Sequence, residues 1–437
     1  MQGWPSYDRA PPLSLPLPFL LASPCWLFIA GLCLMLAGPG QLDRFDPAAL
    51  AAAHLLALGV LGNAMFGAAL QILAVVAGVS FSRPRLLLHA LFWPLQLGCG
   101  LLAAAFLNGF LPVLLLPAAA LLGWALLVFA GFGLHGIAKS PARDATTRGM
   151  ASALAALLAA AGLGIALAGT LGAAWPLPWK TLLDWHALWA LGGWLLGLVM
   201  AVAATVVPMF QITPAYPARW MRHAAMIWPA SLLASGLGWQ LTASWLAWLP
   251  AWMAALAFAA MTWRLQRRSR RPGDCGRRFW QMAMAALALG LLAAWLVAAD
   301  LLAAWLVAAD LLAAGWAALS GWLLLFGLGA GAVLGMFYKI LPFLLWLDLQ
   351  RKAPPGARPP ATLALLPESA QRRCLFVFSA CLAMGCALAL GRLPGTEAGV
   401  GTCALAALVA WDAGRAVWRY RACARNWRET QAAGVMP

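Results

Sequence analysis

The sequence predicts an all-α membrane protein of about twelve transmembrane helices in three pseudo-equivalent four-helix units, with both termini cytoplasmic. Three observations carry that expectation. Of the 437 residues, 64% are apolar and only 10% charged, whereas about a quarter of an ordinary soluble chain is charged. Apolar runs near twenty residues recur along the whole length, each able to cross a hydrocarbon core of about 30 Å. Three of those runs, 54–78, 184–210 and 316–346, carry one shared pattern.

In chain order the candidate spans are 15–37, 50–78, 86–107, 111–136, 150–173, 184–210, 224–245, 246–263, 279–299, 315–346, 374–391 and 400–418. They form a single membrane domain over 1–437, with units at 15–136, 150–263 and 279–418 and a cytoplasmic tail at 419–437. The first fourteen residues, with Pro5, Pro11 and Pro12, are too polar for a signal peptide, so the first span serves as its own insertion signal. Pro94, Pro117, Pro229 and Pro250 fall inside or at the ends of spans. There they kink helices whose freed carbonyls need neighbours as partners. Trp175, Trp179, Trp185 and Trp189 gather at the outer ends of the fifth and sixth spans as an interfacial belt. Residues 291–310 read LLAAWLVAAD twice, so the second copy lengthens the ninth helix or lies at the interface.

The net charge of +16 is a topology signal. Basic residues cluster in alternate loops: Arg83/Arg85, Lys139/Arg143/Arg148, Arg219/Arg222, Arg264–Arg278, Arg351–Arg373 and Arg415–Arg428. The intervening loops hold little beyond Arg44, Lys180 and Arg392. This asymmetry puts both termini on the cytoplasmic side. The block 264–278 lacks interleaved aromatics, which argues against a nucleic-acid partner and leaves the lipid bilayer as the main one. Ala- and Arg-rich usage suggests a bacterial inner membrane. The nine cysteines include no C-x-x-C pair and read as small buried hydrophobes.

The repeat aligns on Gly59, Gly193 and Gly327, each 134 residues after the last. The same step superimposes Gly67, Ala201 and Gly335, then Gln71, Thr205 and Lys339, then Ala74, Pro208 and Pro342. Small residues at turn spacing let helices approach closely in lipid, where packing drives association. Three helices placed four spans apart imply three units of four.

Of five histidines, His54 and His186 fall in the outer third of the second and sixth spans; His89, His135 and His223 fall near the cytoplasmic face. Ionisable groups inside a membrane are functional candidates, and neutral imidazole is the usual ligand of haem iron or copper. On the glycine register His54 aligns with Leu188. The two histidines are therefore offset by two residues, about 200° around an α-helix. Matching HLLALG to HALWALG with a one-residue gap reduces the offset. Asp412 and Arg415 stand at i,i+3 and are expected to pair. No P-loop, GxSxG, HExxH or paired-carboxylate signature is present, and no residue is assigned a catalytic role.

Twelve spans in three units, with a histidine in the outer part of the second and sixth, resemble the haem–copper oxidase subunit I superfamily. The stretches GAALQILAVVAGV, VVPMFQITP and GMFYKILPFLLW are similar to those of little-characterised bacterial proteins grouped with it. The resemblance implies a low-spin haem ligand at His54 and a copper ligand at His186. It also marks what this chain lacks. WAALSGWLLLFG in the tenth span and AAMIWPASLLASGLGWQL in the seventh hold no histidine, and no tyrosine follows His186 by a turn. A binuclear oxygen-reducing centre cannot be assembled from these residues. The implied remainder is a haem b gripped by His54 and His186, or copper held by them with Met65, Met200 or Met209. The role implied is in respiratory metabolism or cofactor handling, beside other respiratory membrane subunits. Two alternatives stay open: a small-solute transporter with a polar cavity at Gln71, Thr205 and Lys339, and a scaffold without cofactors. Lys339 itself reads either as a proton-path or anion-binding group or as a lysine snorkelling to the basic face.

Overall fold

A computed structural model describes residues 7–37, 45–142, 144–298 and 309–432. The second copy of the tandem repeat lies largely outside the described residues. Helices account for nearly all of the rest. We number the twelve long ones α1 (Leu17–Met35), α2 (Pro47–Val75), α3 (Pro84–Leu107), α4 (Pro112–Lys139), α5 (Ala145–Ala173), α6 (Trp179–Gln211), α7 (Ala218–Thr242), α8 (Trp245–Gln266), α9 (Cys275–Ala298), α10 (Gly315–Lys352), α11 (Glu368–Ala389) and α12 (Gly395–Ala432). All but α7, eleven among the described residues, are long and apolar enough to cross a membrane, so the chain is a multi-pass membrane protein. The exception begins ARWMRH, and those polar residues lower its mean hydropathy. The tail expected from residue 419 is not separate: α12 runs unbroken for 38 residues to Ala432.

Local chemistry sets the helix starts. Proline occupies the first position of α2, α3 and α4, where its missing N–H costs nothing. Asp46 caps α2 through Ala48 N and Ala49 N at 2.8 and 3.1 Å, and Asp144 caps α5 through Thr147 N at 3.0 Å. Three helices stop on residues in the left-handed region without being glycine: Ala174, Ile212 and Ala243, with φ near 50°.

Three helices change pitch in mid-course. Leu55–Gly62 in α2, Leu188–Leu196 in α6 and Leu323–Ala330 in α10 are π-helical. These segments contain Gly59, Gly193 and Gly327 at nearly the same place in each. π turns are rare and usually short, so three at one register is a shared structural feature. Neighbouring side chains take some of the carbonyls involved. Asn63 Nδ2 donates to Gly59 O at 2.7 Å, Ser23 Oγ to Val60 O at 3.0 Å, and Trp228 Nε1 to Gly192 O at 2.9 Å. Asn63 is fully buried and also exchanges hydrogen bonds with Gln96 of α3, which accepts from Trp26 of α1.

The glycines are where neighbouring helices touch. A Cβ on Gly59 would fall 2.7 Å from the Trp26 side chain, on Gly193 2.7 Å from Ala156 Cβ, and on Gly327 2.5 Å from Ala286 Cβ. Trp26, Ala156 and Ala286 are themselves 130 residues apart. One level along, Gly67 meets Phe19, Ala201 meets Gly149, and Gly335 meets Phe279, with the same two steps. At the centre, a Cβ on Gly329 would lie 2.6 Å from Leu61 and 3.4 Å from Leu195. Those three positions are again 134 apart. Gly31 of α1 likewise meets Cys403 of α12.

Loops rich in arginine share one end of the bundle. Arg351 Nη2 donates to Ala10 O, Arg270 N to Ile212 O, and Arg419 Nη1 to Leu365 O at 3.0 to 3.1 Å.

Gly327→Ala is expected to cost about 1–3 kcal/mol, because overpacking pushes α9 from α10. Gly131→Ala on α4 meets open space. It should be neutral or stabilising by up to about 1 kcal/mol, as glycine is the poorer helix former. Thermal melts of the two variants in detergent check both signs.

Candidate cofactor site

His54 and His186 come together. Asp46 and Pro47 start α2 two turns before His54, and the imidazole ends the α-helical part just ahead of the π segment. His186 stands two residues before the π segment of α6. Their ring centroids are 6.4 Å apart and their planes 13° from parallel. Counting 100° per residue from the aligned glycines does not anticipate this meeting, because the wider π turns between histidine and glycine reset the azimuth.

Each ring is anchored through the same atom. His54 Nδ1 lies 2.8 Å from Leu50 O, and His186 Nδ1 lies 2.9 Å from Ala160 O of α5. A carbonyl only accepts, so both Nδ1 atoms donate and both Nε2 atoms keep their lone pair in the neutral ring. This is the arrangement that orients a metal-binding imidazole: one nitrogen tied to backbone, the other presented outward. Phe106 of α3 flanks His54 with centroids 4.8 Å apart. Gly164 of α5 makes room for the other ring, since a Cβ there would fall 3.0 Å from His186 Cε1. Both histidines are half-buried.

The methionines do not join them. Met209 is 23 residues along α6 from His186, about 35 Å at 1.5 Å per residue. It lines a different cavity. Met65 and Met200 lie 11 and 14 residues from their respective histidines, about 16 and 21 Å on the same rise. Among the described residues no group of three or more His, Cys, Asp or Glu side chains could hold a metal. His89, His135 and His223 are exposed and separate.

The polar positions of the repeat divide. Gln71 and Thr205 border one cavity with Met209. Thr205 Oγ1 shares a hydrogen bond of 2.9 Å with Thr146 of α5. Lys339 turns to α9 instead, where its Nζ is 2.7 Å from Asp274 Oδ2. Asp412 is buried and accepts from Tyr338 at 2.9 Å and Arg373 at 3.2 Å, both on other helices. Arg415 is not the partner that the i,i+3 spacing suggests. Two groups escaped the sequence reading. Asn63 carried a usable signal as the one asparagine inside an apolar span. Asp274 carried none, because it sits in an arginine-rich loop 65 residues before its lysine.

No protein-family model matches the chain, and no curated protein matches it. The site therefore stands on its own geometry.

Removing Lys339 alone strands a buried carboxylate. Lys339→Met should lower stability by about 2–3 kcal/mol. The double variant with Asp274→Asn, which keeps an oxygen to cap α9 at Arg277 N, should recover part of that loss. A double-mutant cycle on thermal melts measures the coupling.

Proposed function

We propose that this chain is a cytochrome c oxidase subunit I-like membrane protein that binds one b-type haem between His54 and His186 and does not reduce oxygen. The observation that carries the reading is the histidine pair. Metal–imidazole bonds of about 2.0–2.1 Å place the centroids of two rings on opposite sides of one metal roughly 6.3 Å apart. The pair here is at 6.4 Å, with both Nδ1 atoms already tied to carbonyls.

The ligand count favours haem over copper. A haem would need few donors from the chain beyond its own ring, and His54 and His186 are the two residues that would hold it. Copper above two-coordinate would need a third donor from the chain, and Met209 is too far along α6 to serve; the two imidazoles alone would suit only linear Cu(I). Held by His54 and His186, a haem would supply electron-transfer chemistry. The residues then have plain tasks: Leu50 and Ala160 carbonyls fix the tautomer, Phe106 backs His54, and Gly164 leaves room for His186. A respiratory or cofactor-handling role beside other membrane subunits follows from that chemistry.

The scaffold reading has its own support. Three four-helix units account for the shared π register, the constant 130- and 134-residue steps, and the meeting of Leu61, Leu195 and Gly329. The clustering of basic loops at one end supports a bacterial inner-membrane orientation with both termini cytoplasmic.

The test is an optical spectrum with metal analysis on detergent-purified protein from haem-replete cells. We expect a Soret band at one haem per chain, lost in both His54→Ala and His186→Ala while each variant still elutes and melts as a folded protein. A colourless wild type would refute the haem site. One copper per chain without haem would replace it with a copper site.

A further inference from the structure

Gln71 is about 93% buried, and neither its amide nitrogen nor its amide oxygen has a partner. Trp280 of α9 is 1% exposed, and its indole N–H is equally unpartnered. Leaving such groups unsatisfied costs about 1–3 kcal/mol each. Both border the same central space. Around the line where α2, α6 and α10 meet, a nearly all-apolar cavity of about 70 Å³ includes Trp280 in its wall. A second, of about 50 Å³, includes Gln71. The two have Ala68, Ile72, Val206 and Ile340 in common as wall residues. Trp280 abuts Gly335, whose counterpart Gly67 stands one turn before Gln71.

We propose that this axial cavity binds an amphipathic bilayer molecule that presents two acceptor oxygens on an apolar body, one to Gln71 and one to Trp280. The apolar wall suits a ring or tail and excludes a solute carrying charge or many hydroxyls. The free Gln71 oxygen can accept from a hydroxyl, so a dihydroxy form of the same molecule fits equally. A quinone ring and a fatty acid taken up in its uncharged, protonated form both offer this chemistry. The site is independent of the histidine pair: Gln71 is 17 residues from His54 on α2, about 25 Å along the helix.

The experiment uses the full chain in detergent, with decylubiquinone and palmitate as separate probes. Binding is read as a saturable rise in melting temperature, alongside mass spectrometry of a solvent extract of the purified protein. One probe should bind near 1:1, and the extract should carry a molecule of that class. Gln71→Leu and Trp280→Phe should each weaken binding at least tenfold. Without ligand, Gln71→Leu should melt no lower than wild type, since it removes an unsatisfied buried amide. Ala68→Phe, filling the shared wall, should abolish binding. Decylubiquinone alone would assign a quinone site, and palmitate alone an acyl site. No shift with either probe and a clean extract would overturn the proposal, as would wild-type affinity in Gln71→Leu and Trp280→Phe. Any haem band should survive in Gln71→Leu, so this site and the histidine site fail separately.

Discussion

Close approach of helices at glycine is the constraint on which this structure depends. In lipid no hydrophobic force draws one apolar helix to another, so association rests on packing and on hydrogen bonds that water cannot supply. At Gly59, Gly193 and Gly327 even one added carbon would collide with the next helix. All three contacts fall within π-helical turns, where the backbone departs from its ordinary pairing. The fold absorbs that departure locally: Asn63, Ser23 and Trp228 reach carbonyls in two of the three segments. Tight packing and altered pitch thus occur together, and polar side chains from neighbouring helices make the combination tolerable in a bilayer.

Polar groups are sorted along the bundle by what can satisfy them. Toward the end that carries the arginine-rich loops, carboxylates are held by cations and hydroxyls: Asp274 by Lys339, Asp412 by Tyr338 and Arg373 of other helices, and Asp348 by Tyr420 of α12 and by Lys352 one turn along its own helix. Among the described residues, buried polar groups farther along the helices include the amides of Asn63 and Gln71, the Ser23 and Ser235 hydroxyls and the Trp228 indole. Nearer the other end stand the two imidazoles, each tied once to backbone. Burying a charge without a partner is costly, and the neutral ring is the titratable form that tolerates this setting. A cofactor ligand placed there can keep its lone pair without an ion pair.

Much of this was legible in sequence, for a physical reason. Span positions depend on hydropathy summed over many residues, and the repeat register depends on glycines that only close packing explains. What escaped was set by hydrogen bonding. A π turn has no compositional mark in LLALGVLG or LLLFGLGA, so the rotation of His54 and His186 toward each other could not be counted out. Lys339 appeared equivalent to Gln71 and Thr205 by spacing, and it is equivalent in register. It leaves their cavity because α9 offers it Asp274. Asp412 likewise prefers partners across helix boundaries to the arginine one turn away.

The two-residue offset between the histidines, awkward for a repeat, is what the proposed threefold arrangement requires. Side chains at equivalent positions around a threefold axis make the same angle with the radius. They can meet one another only by pointing at the axis, as Leu61, Leu195 and the hydrogen of Gly329 do. Two side chains that face each other across the gap between neighbouring helices must turn in opposite senses, one clockwise and one counter-clockwise. Contacts between successive units of a ring are heterologous, so the residues that meet there are different residues of the unit. A facing pair on α2 and α6 must therefore come from non-equivalent positions. Histidines in perfect register could not face one another across that gap. On the proposed threefold arrangement α10 needs no third histidine: the pair belongs to one of three gaps, and the proposed site lies where the register of the repeat is broken.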